Sequence, residues 1–171
     1  MMNQIPAWGP VSEWTEANWS VDYLLKKYSS EISRVNELAR EIQANLETIF
    51  SVQNDLCSET CRFCPDPCCL NATVWADLKD LLFIHLTKQK IPDTQLISKQ
   101  EDHCVYHSPK GCRLPRLSRP FTCTLYLCPS QMSKFRLLDS VIKDEYDKRV
   151  TFVKQSRRKI EEMFIQITNS V

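Results

Sequence analysis

Apolar residues in the first third of the chain recur at Val21, Leu25, Tyr28, Ile32, Val35, Ala39, Ile42, Leu46 and Ile49, in steps alternating between four and three. That seven-residue repeat puts these side chains on one helical stripe, the pattern of helices in coiled-coil packing. Neither proline nor glycine interrupts the chain from Val11 to Cys64. The pattern predicts one long helix over about residues 15–53, roughly 55–60 Å at 1.5 Å per residue. Near the other end Leu138, Ile142, Tyr146, Val150, Val153, Ile160, Phe164 and Ile167 fall at helical spacing, with polar residues on the remaining faces. After Pro129 and Ser130, a plausible cap, this predicts a second long helix over about 131–168. Between the two, Leu78, Leu81, Leu82, His85 and Leu86 share one face of a helix over about 75–88. Asp77 sits at its positive end and Pro92 follows as a breaker. Residues 89–103 read as a polar loop.

An isolated helix gains little from propensity, so the seam from Val21 to Ile49 needs cover. The C-terminal helix is of similar length and can pair with it antiparallel within one chain at small loop-closure cost. The expected fold is mainly α: two long antiparallel helices flanking an irregular cysteine-rich metal-binding module with a short helix. The divisions are 1–56, 57–129 and 130–171. This favours a monomer, with a dimer through the heptad helix as the rival. Trp8, Trp14 and Trp19 are expected to cover one end of the helical pair, with a partner-binding patch as the other reading. Arg157-Arg158-Lys159 reads as a solvated helix face.

Composition changes this picture at one place. The chain has nine cysteines in 171 residues, and all lie between Cys57 and Cys128. They are Cys57, Cys61, Cys64, Cys68, Cys69, Cys104, Cys112, Cys123 and Cys128. The N-terminal stretch has no basic segment followed by an apolar one, so a secretory signal is not expected. The longest apolar run, Leu81 to Ile84, cannot span a bilayer. The expected compartment is the cytosol, where thiols stay reduced and clustered cysteines read as metal ligands before disulfides. The formal net charge is +1, which gives no reason to expect nucleic acid or a membrane surface as partner. A protein partner is left open. Glycine occurs only at Gly9 and Gly111, which excludes dinucleotide-binding and P-loop motifs.

Cys61 and Cys64 form a C-x-x-C pair, a spacing that lets one turn aim two thiolates at one ion. Pro65 and Pro67 stiffen this knuckle. Cys68 and Cys69 are adjacent, so their side chains diverge and one is expected to point away from the first ion, toward a second metal or elsewhere. His103 and His107 flank Cys104 and are alternative ligands, though exposed loop histidines are the simpler reading. His85 reads as a core histidine. From His103 to Leu138 no acidic residue occurs, while Lys110, Arg113, Arg116, Arg119, Lys134 and Arg136 do. A tetrathiolate site carrying a net charge of about −2 suits such surroundings, and so does a solvated basic surface. The expected metal is zinc or iron, with a four-iron cluster as one form the iron could take.

The ordered set Cys61-x2-Cys64-x3-Cys68-Cys69, then Cys104, then Gly111-Cys112, then Arg119-Pro120-x2-Cys123 resembles the YkgJ-type cysteine-cluster family, the CxxCxxCC zinc- or iron-chelating domain. The resemblance covers about residues 57–128. Three spacers instead of two precede the doublet, the aromatic residue usual after the cysteine matching Cys112 is missing, and Cys57 is additional. The resemblance implies a metal-binding protein. The family is similar to flagellin lysine methylases, which makes an iron–sulfur redox protein or a methylase-like enzyme the alternative. No set of acid, base and nucleophile is visible to decide for an enzyme. Arg119 is expected beside the centre, donating to a thiolate or cluster sulfur.

Overall fold

The computed structural model describes residues 8–61, 64–68, 73–97, 99–100, 103–108 and 111–170. Among the described residues the fold is mainly α. Helix α1 spans Val11–Lys27 and α2 spans Ser33–Thr60. Helix α3 covers Leu78–Leu86 and the short α4 covers Phe121–Leu125. Helices α5, Pro129–Arg136, and α6, Ser140–Asn169, close the chain. Two-residue strands β1, Lys99–Gln100, and β2, His103–Cys104, pair antiparallel.

The long pair is α2 and α6. They run antiparallel: Gln53 donates to the Tyr146 hydroxyl at 3.2 Å and Arg149 to Asn45 Oδ1 at 3.0 Å, so rising numbers on one helix meet falling numbers on the other. Val35, Ala39, Ile42, Leu46 and Ile49 are buried, as are Tyr146, Val153, Ile160 and Phe164. The seam of α2 is thus covered from within the chain.

Each expected long helix is broken once. The stretch expected over 15–53 ends at Lys27 and resumes at Ser33, because Glu31 and Ile32 N–H both bond the Tyr28 carbonyl, at 2.9 and 3.2 Å, and close a turn. Ser29 and Ser30 are weak helix formers. Tyr28 and Ile32 stay buried on either side of the turn, so the heptad spacing survives although the helix does not. α1 thereby leaves the axis of α2 and packs on α3. The C-terminal stretch breaks before α6, where Asp139 accepts from Val141 N–H at 2.7 Å and caps a new helix. Leu137, Val141 and Ile142 near this break are exposed, so Ile142 is off the buried stripe.

The tryptophans divide. Trp14 is buried and its indole N–H donates to the Pro92 carbonyl at 2.8 Å, tying α1 to the segment after α3. Trp19 is exposed and stacks on Tyr23. Trp14→Phe is expected to destabilise the chain by about 1–3 kcal/mol, since it strands a buried carbonyl and leaves a void. Urea unfolding of the full chain measures this; an unchanged midpoint would show that the tie carries no stability. His85 hydrogen-bonds Asn18 Oδ1 at 3.0 Å, and burial lowers its pKa below the ordinary histidine value.

Arg157 is not part of a solvated face. It is buried, with its guanidinium 2.7 Å from Asp80 Oδ1, 3.3 Å from Asp77 Oδ1 and over the Phe121 ring. Asp77 and Asp80 form a reciprocal capping box at the start of α3, so Asp77 does cap this helix. The loop expected over 89–103 is not uniformly polar in setting either. Gln95 is fully buried and clamps the chain before α3, accepting from Ala76 N–H at 2.8 Å and donating to the Ala76 carbonyl at 3.0 Å. Among the described residues, no helix is long and apolar enough to cross a membrane.

Candidate metal centre

Among the described residues, seven cysteines fall into two groups, each assembled from separate stretches of chain. The first surrounds Cys123. Pro120 sets the entry to α4, Phe121 N–H donates to Asp80 Oδ1 at 2.9 Å, and Cys123 rides on the single turn that follows. Cys104 lies on β2 opposite Lys99, and its carbonyl accepts from His107 N–H at 2.8 Å. Tyr106 fixes this corner by accepting from Thr94 N–H and donating to the Thr94 carbonyl, both at 2.8 Å. Cys112 follows a tight turn in which Ser108 and Gly111 exchange backbone hydrogen bonds of 3.0 and 2.8 Å. Gly111 has φ +101°, a backbone state that a side chain would strain. Leu96, Tyr106 and Leu114 form a small second core against which Cys104, Cys112 and Cys123 pack. Burial pushes the Cys123 thiol up to about 12, with Cys104, Cys112, Asp80 and Cys68 adding to the rise. Cys68, Cys104 and Cys112 are therefore each close enough to Cys123 to act on it electrically.

The second group joins the end of α2 to the start of α5. Cys57 and Cys61 sit one helical turn apart, and Cys61 N–H bonds the Cys57 carbonyl. Cys128 is the N-cap of α5, its sulfur 3.5 Å from Gln131 N–H. Gln131 is buried, and its side-chain amide donates to Cys57 Sγ at 3.2 Å and Cys61 Sγ at 3.4 Å. The same amide accepts from Cys128 N–H at 3.1 Å. Arg116 Nη2 lies 3.8 Å from Cys57 Sγ, and Nη1 is anchored on Asn54 Oδ1 at 2.6 Å. Burial raises the Cys61 pKa, and the neighbouring Cys57 and Cys128 thiols raise it further.

Cys64 follows Cys61 across a turn closed by its N–H on the Cys61 carbonyl at 3.3 Å. Cys69 and the side chain of His103 lie outside the described residues. Arg119 Nε donates to the Leu114 carbonyl at 3.0 Å, which braces the approach to α4. Among the described residues the guanidinium recorded on a sulfur is that of Arg116, not Arg119. Sequence reasoning missed Gln131, Arg116 and Asp80. Gln131 had a readable signal: Cys128 and Gln131 stand at the N-cap and N3 spacing of a capping box, with cysteine in place of serine.

The donor chemistry fits a thiophilic metal. At Cys57, Cys61 and Cys128 the N–H groups and a guanidinium aimed at sulfur work toward thiolate, the form that binds metal, against the burial that raises Cys61. Among the described residues no group of three or more His, Cys, Asp or Glu side chains is already arranged to hold an ion. A metal bound there would have to draw its ligands together, as happens in small metal-organised modules. No protein-family model, curated protein or solved structure matches the chain, so the family resemblance rests on its cysteine pattern alone.

Proposed function

We propose that this chain is a metal-binding protein whose cysteine cluster holds zinc or an iron–sulfur centre, working in a reducing compartment such as the cytosol. The observation that carries the reading is the convergence of Cys104, Cys112 and Cys123 from distant stretches upon one small core, with the exposed Cys68 near enough to Cys123 to add to its rise. Ionising thiols crowded in this way costs free energy unless a cation compensates the charge. Bound there, zinc would cross-link the stretches, and an iron–sulfur cluster would add one-electron chemistry. The residues have separate tasks. Tyr106 holds the Cys104 corner, Gly111 turns Cys112 inward, and Asp80 fixes the start of the helix bearing Cys123. The cysteine order shared with the YkgJ-type family supports the same reading.

The test is purification without oxygen, a visible spectrum and metal counted per chain. Metal should be retained, and Cys123→Ser should lose the part bound by this group while circular dichroism stays helical. A brown, iron-containing protein selects the cluster, and a colourless one selects zinc. A metal-free chain that also fails to take up zinc or iron on reconstitution would overturn the proposal.

A further inference from the structure

The group at Cys57, Cys61 and Cys128 is left over once Cys123 and its neighbours are assigned. Two of its members, Cys57 and Cys128, stand outside the pattern on which the family resemblance rests. Its surroundings are built rather than incidental. Gln131 is 5% exposed and touches all three cysteines: its amide donates to two sulfurs and accepts from Cys128 N–H, and its backbone N–H points at the third sulfur. Arg116 adds a fixed cation beside Cys57, held by Asn54, by the Phe50 carbonyl at 3.3 Å and over the Phe50 ring. The nearby acid Glu59 is paired with Lys134 at 2.7 Å. Two side-chain amide contacts, one backbone N–H and one guanidinium thus converge on three sulfurs.

Donors in that arrangement work to stabilise negative sulfur against the burial and thiol crowding that raise Cys61, and a helix N-terminus under Cys128 acts in the same direction as the donors. Charge then selects the ligand. Three thiolates and one guanidinium sum to −2, which one divalent cation neutralises and a monovalent one does not. Thiolate ligands select a soft or borderline ion over magnesium or calcium.

We propose that Cys57, Cys61 and Cys128 form a second, separate site for a thiophilic divalent cation of the zinc class, with Gln131 as its positioning residue, clasping the end of α2 to the start of α5. The inference extends the metal-binding reading above by giving the chain two sites instead of one. Binding closes the three sulfurs on the ion, and any thiol protons leave to solvent. Gln131 keeps its amide N–H groups on sulfur, outside the coordination sphere.

The experiment uses the full chain, stripped of metal under reducing, oxygen-free conditions and titrated with Cd²⁺. Thiolate-to-metal absorbance and native mass spectrometry report stoichiometry. The intact chain should bind two ions. Cys57→Ser and Cys128→Ser should each remove one, Cys123→Ser should remove the other, and far-ultraviolet circular dichroism should confirm that each variant stays helical. Gln131→Leu keeps every thiol and should weaken one site about 10-fold or more, as loss of an outer-shell partner does. A single ion, lost in Cys123→Ser and kept in Cys57→Ser, would overturn the second site and leave the first intact. A single ion lost in Cys57→Ser and kept in Cys123→Ser would do the reverse. No binding at all would overturn both. Should Cys57→Ser fail to fold, Gln131→Leu decides: unchanged affinity for both ions would overturn the assigned role of Gln131 and the site built around it.

Discussion

Arg157→Ala is expected to cost about 3–5 kcal/mol, the range for removing one partner of a buried ion pair. The reason is what it leaves behind. Asp80 is as buried as Arg157, each side chain being 6% exposed, and its carboxylate is 2.7 Å from the guanidinium. Burial pushes the Asp80 carboxyl up, and Arg157 holds against it. Without the arginine, Asp80 must either keep an uncompensated charge or take up a proton. The sign follows. A carboxyl whose folded pKa lies above its unfolded value loses stability as pH rises through that range, so the deficit of Arg157→Ala should shrink as pH falls from 7 toward 4. A deficit caused by lost packing alone would not move with pH, and that result would sink the electrostatic account. Asp80→Asn in the same chain should recover part of the loss, because the amide oxygen still accepts from Phe121 N–H. The effect reaches the thiol group through that bond: Asp80 Oδ1 serves both Arg157 and the first turn of α4, which carries Cys123.

How far the sequence foretold this molecule depends on the range of the interaction involved. The seam of α2 and the stripe of α6 were legible because helical burial is periodic, and Asp77 because capping is local. The breaks after Lys27 and before Ser140 were not: a turn that preserves heptad spacing is silent in the pattern of apolar residues. Arg157 looked solvated because it lies in a run of three cations, and its partners are 80 and 77 residues away. Gln95 was hidden for the same reason, its task being to satisfy the backbone of Ala76 from the other end of α3 and the segment that follows it. Among the cysteines, membership in one crowded window was readable. The division into two groups was not, since it depends on the end of α2 meeting the start of α5 and on Cys123 lying near Cys104 of β2. Arg119 was expected at a sulfur from its place beside Cys123. The arginine recorded there is Arg116, because the short 3-10 turn at Arg116–Ser118 directs it toward α2 while Arg119 braces the Leu114 carbonyl.

Metal removal is expected to loosen residues 99–128 while the α2–α6 pair stays protected. Among the described residues, the second core beneath Cys123 is built on Leu96, Tyr106 and Leu114. Burying an apolar side chain contributes about 1.5–3 kcal/mol, whereas each ordered residue costs about 1–2 kcal/mol of backbone entropy. Three such side chains fall well short of ordering two loop-rich stretches, and a structural metal can supply the difference. Hydrogen exchange before and after chelation measures this; amides of residues 99–128 that stay as protected as before would defeat it. Acid and base then separate the two states. In the metal-free chain Cys123 rises from 9.0 to about 12. The folded form therefore holds that proton more tightly than the unfolded form, and stability should fall as pH climbs from about 9 toward 12. In the loaded chain the ligands are already thiolates, so protons compete with the metal and stability should fall as pH is lowered. Urea midpoints at several pH values should slope in opposite directions for the two forms. Equal slopes would mean that the thiols around Cys123 carry no metal.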